Sequence, residues 1–264
     1  YVRSVMAAFS MTDMAEGFEL ARQDAEHATE LNPRLATGYL ALGWIQIMYD
    51  WDWEDAEVSL KKATEIEPGG VEVLRYRSSL ARTLGRQDEA IELYKKVIEL
   101  DPLRARSYSS LGSQLYYAGQ YDEANAMLQR ALELNPQKER DHLTRGQVLL
   151  AQGRPQRAMD EIEREPGEGW RLLGEALAYH ALGRRQDSDA ALRKLIATRQ
   201  KDWAAQIAQV YAYRGESDKA FEWLDRAYRQ RDGGLMFLKI DPLLKNLRKD
   251  PRYAELLKKM RLPS

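Results

Sequence analysis

The sequence contains no cysteine. Disulfides, thiolate nucleophiles and cysteine-held metals are thereby excluded, and the composition suits cytoplasm and periplasm alike. No apolar run approaches the roughly 18 residues that span a bilayer, so no membrane insertion is expected. The chain opens YVRSVMAAFS, without an initiator methionine or a signal-peptide layout. It reads as an excised fragment. The cytoplasm is the favoured compartment, and the periplasm is left open by that start. Neither sign of charge dominates: 40 Lys and Arg face 41 Asp and Glu, a formal charge of −1. That balance argues against direct, general attraction to nucleic acid or an anionic membrane.

Signatures of catalysis are equally scarce. The three histidines, His27, His142 and His180, lie far apart, and none has the spacing of a zinc helix. No phosphate-cradling loop, dinucleotide fingerprint or nucleophile elbow occurs. Carboxylates are plentiful but follow helix surfaces, as in RQDEAIELYKK, where Glu92 and Lys96 are spaced for an i, i+4 pair. No catalytic residue, cofactor or metal site is expected.

What is present is a repeat. Prolines fall at 33, 68, 102 and 136, and each closes nearly the same phrase: HATELNP, KATEIEP, KVIELDP, RALELNP. Upstream of each lies a small residue, Ala21, Ala56, Ala90 and Ala124. Five glycines are each followed five positions later by Ala or Ser: Gly85, Gly119, Gly153, Gly183 and Gly215. Apolar residues between these marks are spaced i, i+3, i+4, as on an amphipathic helix. The pattern predicts helical hairpins. Glycine supplies the left-handed residue that ends the first helix. The small residue lets the second helix approach closely, and the Asn-Pro or Asp-Pro separates one hairpin from the next. A lone hairpin of this size cannot bury its apolar face, so copies must stack.

The period of 34 and these positions resemble the tetratricopeptide repeat. In residues 105–138, Tyr108, Leu111, Gly112, Leu115, Tyr121, Ala124, Leu128, Ala131 and Pro136 fall on the family's marked positions, with Tyr in place of the leading Trp. The resemblance implies an all-α, right-handed superhelical solenoid of about seven hairpins with a C-terminal helical cap. Residues 1–166 would hold about five repeats, 167–232 two more, and 233–264 the cap. The fifth copy is defective, its second helix cut by EREPGEG at 163–169, and a kink is expected there. Asp241-Pro242 and Asp250-Pro251 should each start a short helix of a polar-faced cap, with Asp as N-cap and Pro at the first helical position.

Residues 49–57, YDWDWEDAE, cross the turn of the second copy with one residue inserted, and Trp51 stands where other copies carry glycine. A tryptophan would be strained at positive φ, so the insertion is expected to re-register the turn and avoid it. Asp52 or Asp55 would cap the following helix. The aromatics either pack the turn against neighbouring repeats or form a ligand platform.

In the resembled family the first helix of each hairpin lines the concave side, where peptides bind. On this register the inner positions are Trp44, Ile47, Met48, Arg75, Ser79, Arg82, Ser109, Ser113, Tyr116, Tyr117 and Gln147. Arg75 and Arg82 lie two turns apart on one face, spaced to hold a carboxylate or phosphate. Alternatively Arg75 pairs with an internal Glu and the tyrosines fill space between helices. The groove lacks the lysines and asparagines of the family's carboxylate clamp, which argues against chaperone tails held in that way. From Tyr179 onward the chain also resembles the C-terminal portion of bacterial multidomain regulators, in which such an array follows a DNA-binding, kinase or adenylate-cyclase-like domain. The resemblance implies a non-catalytic module that binds a protein or peptide partner within a signalling protein. The alternative is a scaffold, or a homo-oligomerisation module, acting through loops such as that at Trp51 and through array ends.

Overall fold

A computed structural model describes residues 14–263, and every regular element among them is helical. Helix α1 spans Met14–Leu31. Six hairpins follow, joining α2 (Ala36–Ile45) to α3 (Trp53–Ile66), α4 (Val71–Thr83) to α5 (Gln87–Leu100), and α6 (Ala105–Tyr117) to α7 (Tyr121–Leu134). The last three join α8 (Asp141–Ala151) to α9 (Pro155–Ile162), α10 (Glu168–Ala181) to α11 (Arg185–Arg199), and α12 (Ala204–Tyr213) to α13 (Ser217–Arg229). With α1 as the second helix of the first copy, these match the copies read from the sequence. The first helix expected for that copy lies outside the described residues. Two 3₁₀ segments, Gly233–Phe237 and Pro242–Leu247, and a last helix α14, Pro251–Lys259, complete the chain.

The hairpins form for the reasons their sequences give. All five expected glycines are left-handed, with φ between +72° and +82°, where glycine meets no Cβ penalty. The small residues Ala21, Ala56, Ala90, Ala124, Ala158, Ser188 and Ala220 are fully buried. Their partners on the first helices are as tight: a Cβ on Gly112 would come within 2.6 Å of Leu128, and one on Gly146 within 2.5 Å of Ile162. Where serine replaces alanine it bonds across the hairpin. Ser78 Oγ donates to the Ala90 carbonyl at 2.9 Å, and Ser188 Oγ to the Ala176 carbonyl at 2.6 Å. The Asn-Pro turns are set by Asn32 and Asn135, whose side chains accept from the backbone two residues on. On α5, Glu92 pairs at 2.8 Å with Lys95, one residue nearer than the spacing to Lys96 suggests.

The chain divides into two compact units, one of residues 1–100 with 254–264 and one of residues 101–253. In the first, the turn at 49–57 behaves differently from the expectation. Trp51 is left-handed, with φ 55° and ψ 41°, so the insertion does not spare it. The extra residue is absorbed upstream, where Gln46–Asp50 widens into a π turn. Packing holds the strained residue: Trp51 is 3% exposed. Tyr49 stacks on Phe18 of α1 with ring centroids 4.9 Å apart, and Asp50 takes Arg22 Nη2 on both carboxylate oxygens at 2.7 and 2.8 Å. Asp52 caps α3 by accepting from Asp55 N at 3.1 Å. Trp53 is buried and donates its indole N–H to the Met260 carbonyl at 2.9 Å. The turn is thus a packing centre for α1 and the C-terminal tail.

In the second unit, the interrupted fifth copy is held by one carboxylate. Helix α9 has only 8 residues. Beyond it Glu165, 1% exposed, accepts from Arg140 N at 2.9 Å, Leu143 N at 3.2 Å and Gly167 N at 3.1 Å. It thereby caps α8 from outside and fixes the entry to α10. The Asp-Pro starts occur as expected, since Asp241 accepts from Leu243 N and Asp250 from Arg252 N. The first, however, opens a 3₁₀ segment; its outer face is polar as expected, with Lys245, Asn246, Arg248 and Lys249 exposed, while the inner side of the stretch is apolar. Leu235, Met236, Leu238, Ile240, Leu243, Leu244 and Leu247 are all buried. Seven apolar side chains in thirteen residues need a wall to bury against, and within this unit α12 and α13 supply part of it.

Candidate functional site

Among the described residues, the inner-face positions split by burial. Ile47, Ser79, Ser109 and Tyr116 are interior, while Trp44, Met48, Arg75, Arg82, Ser113, Tyr117 and Gln147 keep part of their surface. In the first unit Trp44 meets Tyr76 edge-on at 5.2 Å, and Met48 packs on the cluster around Phe18 and Ile45. Arg75 is bound internally, its Nη1 reaching both oxygens of Glu72 at 2.6–2.7 Å. Its spacing to Arg82 therefore offers less free positive charge than the sequence suggests.

In the second unit the inner positions converge on other residues of the chain. Tyr116, Tyr117 and Gln147 line one narrow cavity together with Arg140, Trp170, Phe237 and Asp241. The Tyr117 ring lies 5.4 Å from Phe237. The Arg140 guanidinium sits 5.2 Å from the Trp170 ring and 5.4 Å from the Phe237 ring, and Nη2 donates to Tyr117 Oη at 3.2 Å. Trp170 in turn packs on Trp203 at 4.0 Å. Ser109 Oγ reaches the next repeat, donating to Asp141 at the start of α8 at 2.5 Å, while Ser113 Oγ stays within α6 and donates to the Ser109 carbonyl at 3.0 Å. Arg140, Trp170 and Phe237 escaped the sequence reading, and Asp241 was read only as a helix cap. The one signal was the density of apolar residues in LMFLKIDPLL around Phe237 and Asp241; nothing in the sequence marked Arg140 or Trp170.

Asp241 is the electrostatic centre of this cluster. Gln209 Nε2 donates to it at 2.6 Å and Leu243 N at 2.8 Å. Burial nevertheless pushes its carboxyl up to about 6, against those two bonds and the pull of Arg140 and Arg248. Burial and the nearby Asp241 together raise the Tyr116 phenol well above its usual value. The folded state therefore holds the Asp241 proton more tightly than the unfolded chain does. The stability so contributed is present below the unfolded value of 3.8 and is lost as pH rises through about 6. Asp241→Asn is expected to stabilise the protein most above pH 6, by up to about 3 kcal/mol, with Gln209 turning its amide to match. Thermal unfolding from pH 5 to 8 checks this: a gain that does not shrink at the acid end would refute the assignment.

The histidines take structural places. His142 Nδ1 lies 2.6 Å from the buried Glu161, which also receives Arg145 at 2.9 Å. His180 meets Tyr213 edge-on at 5.8 Å, and His27 is exposed beside Glu30. No group of three acidic or histidine side chains among the described residues is placed to hold a metal.

Two family models for the tetratricopeptide repeat match, over residues 77–102 and 110–170. Residues 77–102 and 110–170 carry tetratricopeptide repeats. The matched residues run from the second half of α4 through α5, and from within α6 to the start of α10. Solved structures with the same repeat architecture include PilW, a type IV pilus biogenesis factor, at 20% identity over 79% of this chain and 96% of that one, TM-score 0.63. Pseudomonas aeruginosa pilF is 21% identical over 83% of this chain and 97% of its own, TM-score 0.54. A chain of the Cut9–Hcn1 hetero-tetramer of the APC/C is 18% identical, TM-score 0.62; the match covers 92% of this chain but only 46% of that one. The repeat chain spans about half that length. At these identities the likeness is one of fold. No curated protein matches the sequence, and no helix among the described residues is long and apolar enough to cross a membrane.

Proposed function

We propose that this chain is a non-catalytic protein–protein interaction module that holds a peptide or partner helix against the inner faces of its repeats. Tetratricopeptide repeats stack into extended concave surfaces suited to that use. The observation that carries the reading is that Trp44, Met48 and Arg82, inner positions on the repeat register of the first unit, keep part of their surface. Tryptophan and arginine are the side chains that concentrate binding energy at interfaces. Three carboxylates that burial raises are spent on structure: Asp241 and Asp232 each accept from backbone N–H groups, and Asp141 from Ser109. That supports binding over catalysis. The likeness from Tyr179 onward to bacterial multidomain regulators supports placing the module in a signalling protein.

A display selection of random peptides on the full chain tests the reading. Enriched peptides are expected to lose at least tenfold in affinity on Trp44→Ala combined with Arg82→Ala, at unchanged helicity by circular dichroism. Equal binding to both proteins would move the site elsewhere. A scaffold role finds support in Leu31, Leu100 and Leu103, which are 74%, 55% and 75% exposed at hairpin ends. It finds none at the Trp51 turn, whose tryptophans are buried.

A further inference from the structure

Within residues 101–253 the inner face is already occupied, and by the chain itself. The 3₁₀ segments between Gly233 and Leu247 form a strap that reaches first helices of all four repeats in this unit. Phe237 enters between Tyr117 on α6 and Arg140 at the start of α8. Asp241 is bound by Gln209 on α12. Leu243 joins the apolar cluster of Leu143 on α8, Leu172 on α10 and Ile207 on α12. Tyr117 and Gln147, which the repeat register assigns to ligand contact, line the same cavity as Phe237 and Asp241.

The strap is built as a bound peptide is built. It forms no helical hairpin of its own, and its grip comes from side chains set into successive repeats. It leaves the last hairpin through Arg231, a non-glycine residue at φ 54°, and then Gly233-Gly234, a joint rich in backbone freedom. The joint is latched by Asp232, which accepts from Ala205 N at 2.9 Å and Gly234 N at 2.8 Å.

We propose that residues 233–247 are an intramolecular ligand of this inner face, and that the partner it takes is a peptide of the same chemistry. Such a peptide carries an aromatic side chain, an aspartate four residues later and a following Pro-Leu-Leu, as in Phe237, Asp241 and Pro242-Leu243-Leu244. It enters by displacing the strap. The proposal rests on the reading of the repeats as a peptide-binding module and adds that half of that surface is self-occupied. Apparent affinity for a competing peptide is then lowered by the fraction of molecules in which the strap is closed.

The test is a labelled synthetic peptide of residues 233–247 titrated into the full chain and into its Phe237→Ala variant, with hydrogen exchange followed over the strap. The variant is expected to bind at least tenfold more tightly than the parent chain. In the parent chain, excess peptide is expected to deprotect residues 235–247 and no other element to the same degree. A peptide lacking the aromatic and the aspartate should do neither. Phe237→Leu serves if the alanine variant loses helicity. The proposal is overturned if exchange shows the variant's strap open while the peptide fails to bind. It is overturned too if the peptide binds parent and variant equally. A concentration-dependent dimer that the peptide cannot dissociate would make the occupant a second copy's strap, and would overturn the assignment to a separate partner. Display-selected peptides that still bind through Trp44 and Arg82 would show that the interaction reading survives the loss of this one.

Discussion

Trp53→Ala is expected to lower stability by about 3–5 kcal/mol, the range for truncating a buried tryptophan. The side chain is 6% exposed, and its indole N–H is bonded to the Met260 carbonyl across 207 residues of sequence. Both the packing and the bond hold residues 254–262 within the first unit, where Met260 and Leu262 are buried. The neighbouring pair of Arg261 and Asp52, 3.5 Å apart and largely solvated, adds little. Trp53→Phe separates the two contributions: it keeps most of the ring and loses the donor, and should cost about 1 kcal/mol. Hydrogen exchange over residues 254–262 is the local readout, and amides there should exchange faster in the alanine variant than in the phenylalanine one. Unchanged protection in both would mean that the tail is held without Trp53.

Glu165→Ala is the second large effect. It strips the acceptor from three backbone N–H groups at once, those of Arg140, Leu143 and Gly167. Each buried donor left without a partner costs about 1–3 kcal/mol, and because the three share one carboxylate a loss of about 3 kcal/mol or more is expected. Glu165→Gln keeps an oxygen in place and should recover much of it. The effect should also reach the strap. Arg140 is held at φ 76° with its N–H on Glu165 while its guanidinium lies against Trp170 and Phe237. Freeing the backbone releases that side chain from both rings. Urea unfolding gives the first quantity and tryptophan fluorescence of the folded protein the second. Equal stability of the glutamine and alanine variants would mean that the three bonds contribute nothing.

The division between what was legible and what was not follows the range of the interactions. Gly85, Gly119, Gly153, Gly183 and Gly215 were readable as left-handed helix ends because the conformation a glycine permits is a property of one residue. The seating of Ala124 under Gly112 was readable because their spacing of twelve recurs in copy after copy, and a repeat writes its packing into its own period. Asp52, Asp241 and Asp250 were readable as caps because a cap reaches only two or three residues.

The left-handed Trp51 was misjudged for a related reason. Its strain is local, but the contacts that hold the turn around it, Tyr49 on Phe18, Asp50 with Arg22 and Trp53 with Met260, are not. The inner-face residues were assigned by register, yet the register could not say that Tyr116 would be buried or that Phe237 would come to lie against Tyr117, 120 positions upstream. Contacts of that kind depend on which apolar segment is left without a wall after every hairpin has packed. By itself the sequence determined an array of tetratricopeptide hairpins, their turns, crossings and caps, since all of these are set within a few tens of residues. Only the tertiary structure decided that Glu165 holds the broken fifth copy, that the tail closes on Trp53, and that Phe237 and Asp241 lie against Tyr117, Arg140 and Gln209. Those outcomes follow from competition among distant buried surfaces, which no local pattern records.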